Sequence, residues 1–239
     1  MRLTVRDVSK RYRRREAVRG LSMSLESGTI VGLLGPNGAG KTTTFKMIMG
    51  AIRPTKGRIV LGETDVTELP MYRRARLGLG YLAQEPSVFR RLSVRQNLLI
   101  ALEAIGCRRA ERATRVAELT EQFALGALLE QAGETLSGGE RRRVEIARLL
   151  ATGPKLLLFD EPFSGIDPLT IDELKRIIIE LKERGIGILI TDHRVAETLR
   201  ICDRAYIVTD GTLLREGTPR AIADDPTVRE LYLGASFSL

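Results

Sequence analysis

The stretch that decides the fold is Thr29-Ile30-Val31-Gly32-Leu33-Leu34, followed at once by Gly35-Pro36-Asn37-Gly38-Ala39-Gly40-Lys41-Thr42. The first six residues are an apolar run of strand length, and Thr42 to Met49 opens a helical pattern. Between them lies the spacing G-x-x-x-x-G-K-T, which Thr43 and Thr44 extend. Glycines let the backbone wind so that successive N–H groups point inward, and the helix N-terminus adds its positive end. In such a loop the lysine meets the β- and γ-phosphates of a nucleoside triphosphate and the following hydroxyl ligates Mg²⁺. Gly35, Pro36, Asn37, Gly38, Ala39, Gly40, Lys41, Thr42 and Thr43 are therefore the candidate nucleotide-binding residues, with ATP and Mg²⁺ as the expected cofactors.

Outward from this core, short β-rich runs alternate with helical patterns, which predicts an α/β domain with parallel strands. Arg58 to Leu61 and Gly80 to Ala83 read as strands. Leu156 to Asp160 (LLLFD) and Gly187 to Thr191 (GILIT) are nearly continuous apolar runs, as in central strands covered on both faces. Ala205 to Thr209, the Asp210-Gly211 turn and Thr212 to Arg215 predict a hairpin. From about Ser93 to Ala151 the pattern is almost wholly helical, which suggests a subdomain inserted into the α/β core. No internal repeat or low-complexity linker is visible.

A P-loop needs a carboxylate at the end of a neighbouring strand to hold the magnesium water shell. The run LLLFD supplies Asp160, with Glu161 directly after it. Ligands of open α/β sheets sit beyond the carboxyl ends of the strands, so Asp160 and the P-loop converge on one edge. Asp160 is expected to serve the metal and Glu161 to polarise the attacking water, a role typically worth about 10²–10⁴-fold. Leu136-Ser137-Gly138-Gly139-Glu140 precedes another long helical pattern. Ser137 and Glu140 have the spacing of a capping box. The glycines between them also bare backbone amides, making a second anion-binding helix terminus. The two readings are compatible.

The chain has 239 residues, with 43% hydrophobic and 28% charged, which suits a soluble protein of one large or two small domains and excludes whole-chain disorder. No apolar stretch approaches the 18 or so residues of a membrane span, and charges interrupt the N-terminus where a signal core would lie. A cytoplasmic location is the expectation. Cys107 and Cys202 make no framework and fit a reducing compartment. The net charge of +8 comes mostly from arginine clusters, among them Arg13-Arg14-Arg15 and Arg141-Arg142-Arg143. Such clusters permit nucleic acid, an anionic membrane face or an acidic partner, and equally permit solvated faces paired with glutamate.

The set GPNGAGKTT, Gln84, LSGGE, LLLFDEP, Asp167 and His193, in that order over essentially the whole chain, resembles the ATP-binding subunits of ABC transporters. The resemblance implies a RecA-like P-loop NTPase core with an N-terminal antiparallel β region and an inserted α-helical subdomain. A single nucleotide-binding domain over 2–235 follows, with its core at about 2–88 and 154–217, the insertion at about 89–153 and a helical tail at about 218–239. It implies a head-to-tail homodimer in which each ATP is held between the P-loop of one copy and Ser137, Gly138, Gly139 and Glu140 of the other. It also implies that Gln84 touches Mg²⁺ or the water and senses the membrane partner, and that His193 contacts the γ-phosphate. Tyr12 would stack on adenine with Val18 nearby, unless Tyr12 is merely a surface aromatic. Asp167 precedes Pro168, so it is either an N-cap or a link between the two sites across the dimer.

Phe89, Arg90, Arg91 and Leu92 follow Gln84, and an aromatic with apolar neighbours and arginines suits a groove that receives a partner helix. The alternative packs Phe89 into its own core. The stretches FRRLSVRQNLL, DEPFSGIDP, LITDHRVAETL and YLGASFSL resemble ATPases of lipopolysaccharide export, which implies two transmembrane permease subunits and the cytoplasmic face of an inner membrane with its anionic surface. ATPases of branched-chain amino-acid importers share much of the pattern. A soluble ABC ATPase acting on nucleic acid is the reading from another class. It calls for a coiled-coil insertion or two fused cassettes, which the sequence lacks, so no nucleic-acid partner is expected.

Overall fold

The computed structural model describes residues 1–13, 15–234 and 237–239. Arg14, from the first arginine cluster, and Ala235 and Ser236, near the C-terminus, lie outside the described residues. The chain begins with two long antiparallel strands, β1 (Arg2–Tyr12) and β2 (Arg15–Glu26), paired from Arg2–Glu26 to Tyr12–Arg15. The predicted strand and helix follow as β3 (Ile30–Leu34) and α1 (Lys41–Met49). Then come β4 (Lys56–Leu61), β5 (Thr64–Asp65), α2 (Met71–Arg76) and β6 (Leu79–Leu82). The helical stretch holds α3 (Val94–Ala104), α4 (Arg109–Gln122) and α5 (Gly138–Leu150). The last part alternates again: β7 (Leu156–Asp160), α6 (Pro168–Glu183), β8 (Gly187–Thr191), α7 (Val195–Ile201), β9 (Arg204–Thr209), β10 (Thr212–Gly217) and α8 (Pro219–Asp224).

Two sheets result. The four-stranded sheet, ordered β2-β1-β4-β5, is antiparallel, and the six-stranded sheet, ordered β10-β9-β3-β8-β7-β6, is parallel except for β10. The continuous apolar strands are explained by the two faces they serve. On β7 and β8, Leu156, Leu158 and Leu189 face a core shared with the antiparallel sheet and α1. The intervening Leu157, Phe159, Ile188 and Ile190 face the helical side. Val94, Leu98, Leu102, Val116 and Leu119 of α3 and α4 belong to that same second core, so the inserted helices share their apolar interior with the sheet.

Local chemistry sets the element ends. Helix α3 starts at Val94 because Ser93 and Gln96 form a reciprocal capping box, which leaves 86–93 as a loop where the sequence placed the insertion's first residues. Asp210 and Gly211 both take positive φ, which turns β9 back into β10 with the handedness that strand twist requires. The tail after α8 is a short turn and one π-helical turn at Arg229–Leu233, with Tyr232 and Phe237 packed on a third small cluster around Leu34 and Ile207. Among the described residues, no helix is long and apolar enough to cross a membrane.

Candidate active site

Strand β3 ends at Leu34, and the chain turns through the P-loop into α1. Gly35 sits at φ 151°, and a Cβ there would lie 2.0 Å from the Val208 carbonyl oxygen of β9, so only glycine fits. No side chain caps α1, whose N-cap is Gly40 at φ 101°, so its first turn is open to an anion. Lys41 folds back over the loop, donating to Gly35 O at 2.6 Å and Pro36 O at 2.9 Å. Burial lowers its pKa, against the attraction of Glu161 and Asp160. At the far end of α1, the fully buried Arg74 donates to Met47 O, Ile48 O, Leu69 O and Thr67 O. It thereby satisfies the carbonyl end of the helix that carries the loop.

The acidic edge lies one strand further away than the sequence suggested. Strand β8 separates β3 from β7, because a parallel crossover can place sequence-distant strands side by side. Asp160 is buried at the end of β7, accepting from the Tyr81 hydroxyl at 3.1 Å, and burial raises its pKa. Glu161 follows with φ 51°, a left-handed conformation uncommon for a non-glycine residue, and its amide donates to Thr191 O at the end of β8. Both of its carboxylate oxygens are engaged. Gln84 Nε2 donates to Oε2 at 2.7 Å, and His193 Nε2 lies 2.6 Å from Oε1. Arg142, buried on α5, ties these parts together by donating to Ala83 O at 2.8 Å and Glu161 O at 3.4 Å.

A cavity of about 310 Å³ opens over the loop, lined by Tyr12, Arg15, Ala17, Asn37, Gly38, Gly40 to Thr43, Glu161 and His193. The structure thus brings the P-loop, Glu161 and His193 to one cavity and joins Gln84 to them through Glu161. Tyr12 is 45% exposed at its rim. Val18 is buried on the core side of β2 and packs behind Gly40 of the loop, while its neighbour Ala17 lines the cavity. Strand alternation sends neighbouring side chains to opposite faces, and the pairing register fixes which one looks out. The side chain of Ala39 is likewise packed in the core, leaving only its backbone to the loop. Arg15 was not singled out by sequence reasoning; the signal available was its place three residues after Tyr12, with which it pairs.

Ser137, Gly138, Gly139 and Glu140 do not line this cavity. They start α5 as a complete capping box, with Glu140 N donating to Ser137 Oγ at 3.3 Å and Ser137 N donating to Glu140 Oε2 at 2.8 Å. Gly139 is pressed on α6, since a Cβ there would lie 2.5 Å from Thr170 Cγ2. Asp167 caps that helix, accepting from Thr170 N at 3.0 Å, with Pro168 at its first turn. In the loop 86–93, Phe89 is 45% exposed, its ring under the Arg148 guanidinium at 4.7 Å, and is not packed into a core. The buried Asn97 fixes this loop, accepting from Phe89 N and donating to the carbonyls of Phe89, Leu92 and Ser93.

A family model described as ABC transporter matches residues 18–164. The chain belongs to the ABC transporter family. As a member of that family, it is an ATP-binding ATPase. It is 54% identical over 237 residues to the lipopolysaccharide export system ATP-binding protein LptB of Acidithiobacillus ferridurans, covering 99% of this chain and 98% of that one. It is 51% identical over 238 residues to LptB of Escherichia coli K12, covering 99% of both chains. Among solved structures, an ATP-binding cassette of an ABC transporter in its ADP conformation superposes with a TM-score of 0.87 at 28% identity, covering 98% of this chain and 99% of that one. A nucleotide-free cassette gives 0.88 at the same identity, covering 98% and 100%.

Proposed function

We propose that the chain hydrolyses ATP to power the extraction of lipopolysaccharide from an inner membrane, working with two membrane permease subunits at the cytoplasmic face. The observation that carries the chemistry is the convergence of the P-loop with Glu161, itself held by Gln84 and His193, on one cavity. The near full-length likeness to two lipopolysaccharide-export ATPases supports the choice of cargo. Of the 239 residues, 2–235 form one nucleotide-binding domain, with the helices of 89–153 as its insertion.

In this reading the amides of the P-loop and Lys41 grip the phosphates, and Tyr12 packs on the base. Glu161 orients a water and takes its proton as the water oxygen bonds the γ-phosphorus and the bond to the bridging oxygen breaks, leaving ADP and phosphate. Gln84 and His193 fix the two oxygens of Glu161 and so aim the base. His193 also meets the γ-phosphate. The residues fit Mg²⁺. Asp160 is a buried carboxyl whose one neutral donor is Tyr81, and a cation beside it relieves the cost of its burial. Among the described residues no cluster of three acidic, histidine or cysteine ligands exists, as suits a cation bound largely through water and phosphate. Thr42, Asp160 and Gln84 would hold it, and when bound it neutralises charge on the phosphates.

Ser137 to Glu140 stand off their own chain's cavity, so this glycine-bearing helix terminus is assigned to the nucleotide of a second copy, head to tail. Asp167 caps α6 through Thr170, the residue that packs against Gly139, and connects the two sites. Phe89, Arg90, Arg91 and Leu92 form the docking surface for the permeases. The test reconstitutes the chain with its membrane partners in vesicles loaded with lipopolysaccharide. ATP-driven release is expected from wild type and not from Glu161→Gln. ATP hydrolysis without any release of lipopolysaccharide would refute the cargo while leaving the chemistry.

A further inference from the structure

Arg15 stands at the lip of the cavity with a guanidinium that no side chain among the described residues occupies. It is the cross-strand partner of Tyr12 at the β1–β2 turn, so the two side chains project side by side from the hairpin end. Its Nη2 lies 3.5 Å from where a Cβ on Gly38 would be, and among the described residues beyond Gly38 and its chain neighbours nothing else comes within 4 Å of that point. The guanidinium therefore covers the open face of the P-loop glycine. Among the described residues it makes no side-chain hydrogen bond and no ion pair. The other arginines near the site differ: Arg142 is buried against Glu145 and backbone carbonyls.

The charge balance of the cavity shows why this matters. Lys41 and Arg15 are the lysine and arginine side chains among its described lining residues, and Glu161 is the acid. Asp160 adds a second negative charge close behind, near enough to act on Lys41. With Lys46 also acting on Asp160, the two lysines only balance the two carboxylates, so Arg15 supplies the surplus positive charge toward a polyanionic ligand. A planar guanidinium with several donors is the side chain suited to phosphate oxygens.

We propose that Arg15 binds the α- and β-phosphates of the nucleotide, bridging the base platform at Tyr12 and the phosphate cradle at Gly38. Its position beside Tyr12 and against Gly38 assigns it to the part of the ligand that ATP and ADP share. It is a binding residue for both nucleotides and does not read the γ-phosphate. The inference rests on the ATPase reading above.

The test measures ATP, ADP and AMP binding by calorimetry to the full chain as wild type, Arg15→Gln, Arg15→Lys and Arg13→Gln. Loss of a charge-assisted contact is expected to raise the dissociation constants of ATP and ADP by a common factor of roughly 10–30, with lysine recovering part of it. KM for ATP should rise by that factor, and kcat should change much less. Arg13→Gln removes the same charge from an exposed neighbour outside the cavity and should shift affinity less than about threefold. Unchanged ATP and ADP affinity in Arg15→Gln, an effect on ATP alone, or an equal effect from Arg13→Gln would each overturn the proposal. A wild-type chain that bound no ATP would instead bring down the ATPase reading itself.

Discussion

Tyr81→Phe deletes one oxygen from the site and should be visible in the pH profile of hydrolysis. The Tyr81 hydroxyl donates to Asp160 Oδ2 at 3.1 Å from the adjacent strand β6. Burial is the largest influence on Asp160 and raises its pKa, with Glu161 pushing the same way; the Tyr81 bond and the charges of Lys46 and Lys41 hold it down. Tyr81 itself is held un-ionised, chiefly by its burial and then by Asp160, so it remains a donor throughout the assay range. A hydrogen bond to a charged group contributes roughly 1.5–3 kcal/mol, and this one is long for a hydroxyl on a carboxylate, which places it near the lower figure. That corresponds to about one pH unit. On the proposed role, Asp160 acts ionised, so activity is lost as pH falls through its pKa. The acid limb of kcat/KM should move upward by about one unit in Tyr81→Phe, with the two profiles converging at higher pH. Superimposed profiles, or a limb displaced to lower pH, would show that the Tyr81 hydroxyl does not hold Asp160 ionised.

Asp160→Asn separates stability from function. With its folded-state pKa above the unfolded one, the folded chain holds more protons between the two values, so Asp160 makes the nucleotide-free protein less stable as pH rises through that window. Asparagine should raise the melting temperature at neutral pH while abolishing turnover; a lowered melting temperature would contradict the burial argument. Arg74→Met removes the donor shared by four carbonyls, two buried and two part-buried, and should cost about 3–5 kcal/mol in denaturant unfolding. A loss below about 1 kcal/mol would mean that α1 does not depend on this anchor. Phe89→Ala should spare hydrolysis by the isolated chain and reduce recovery of the membrane subunits, and unchanged co-purification would misplace the docking surface.

The parts of the molecule legible in the sequence are those whose chemistry is local. The P-loop is a contiguous spacing with a strand before it and a helix after it. The strands Leu156–Asp160 and Gly187–Thr191 announce themselves because both their faces are covered. What was not legible depends on distant pairing. The interposition of β8 between β3 and β7 has no local signature, nor has the register that turns Ala17 outward and Val18 inward. Buried polar side chains were equally hidden. Arg74, Asn97 and Arg142 look like surface residues in composition, and only the backbone carbonyls brought to them by the fold explain their burial. Arg15 fell within a cluster whose charge alone could not distinguish a ligand-facing guanidinium from a solvated one.

On the proposed function, one ATP is completed by two copies of the chain. Light scattering on purified Glu161→Gln, with and without ATP and Mg²⁺, tests it most directly. The predicted result is a dimer that forms on adding nucleotide and is lost when Ser137 is replaced by a bulky residue. A particle that keeps the mass of one chain at saturating ATP would contradict it.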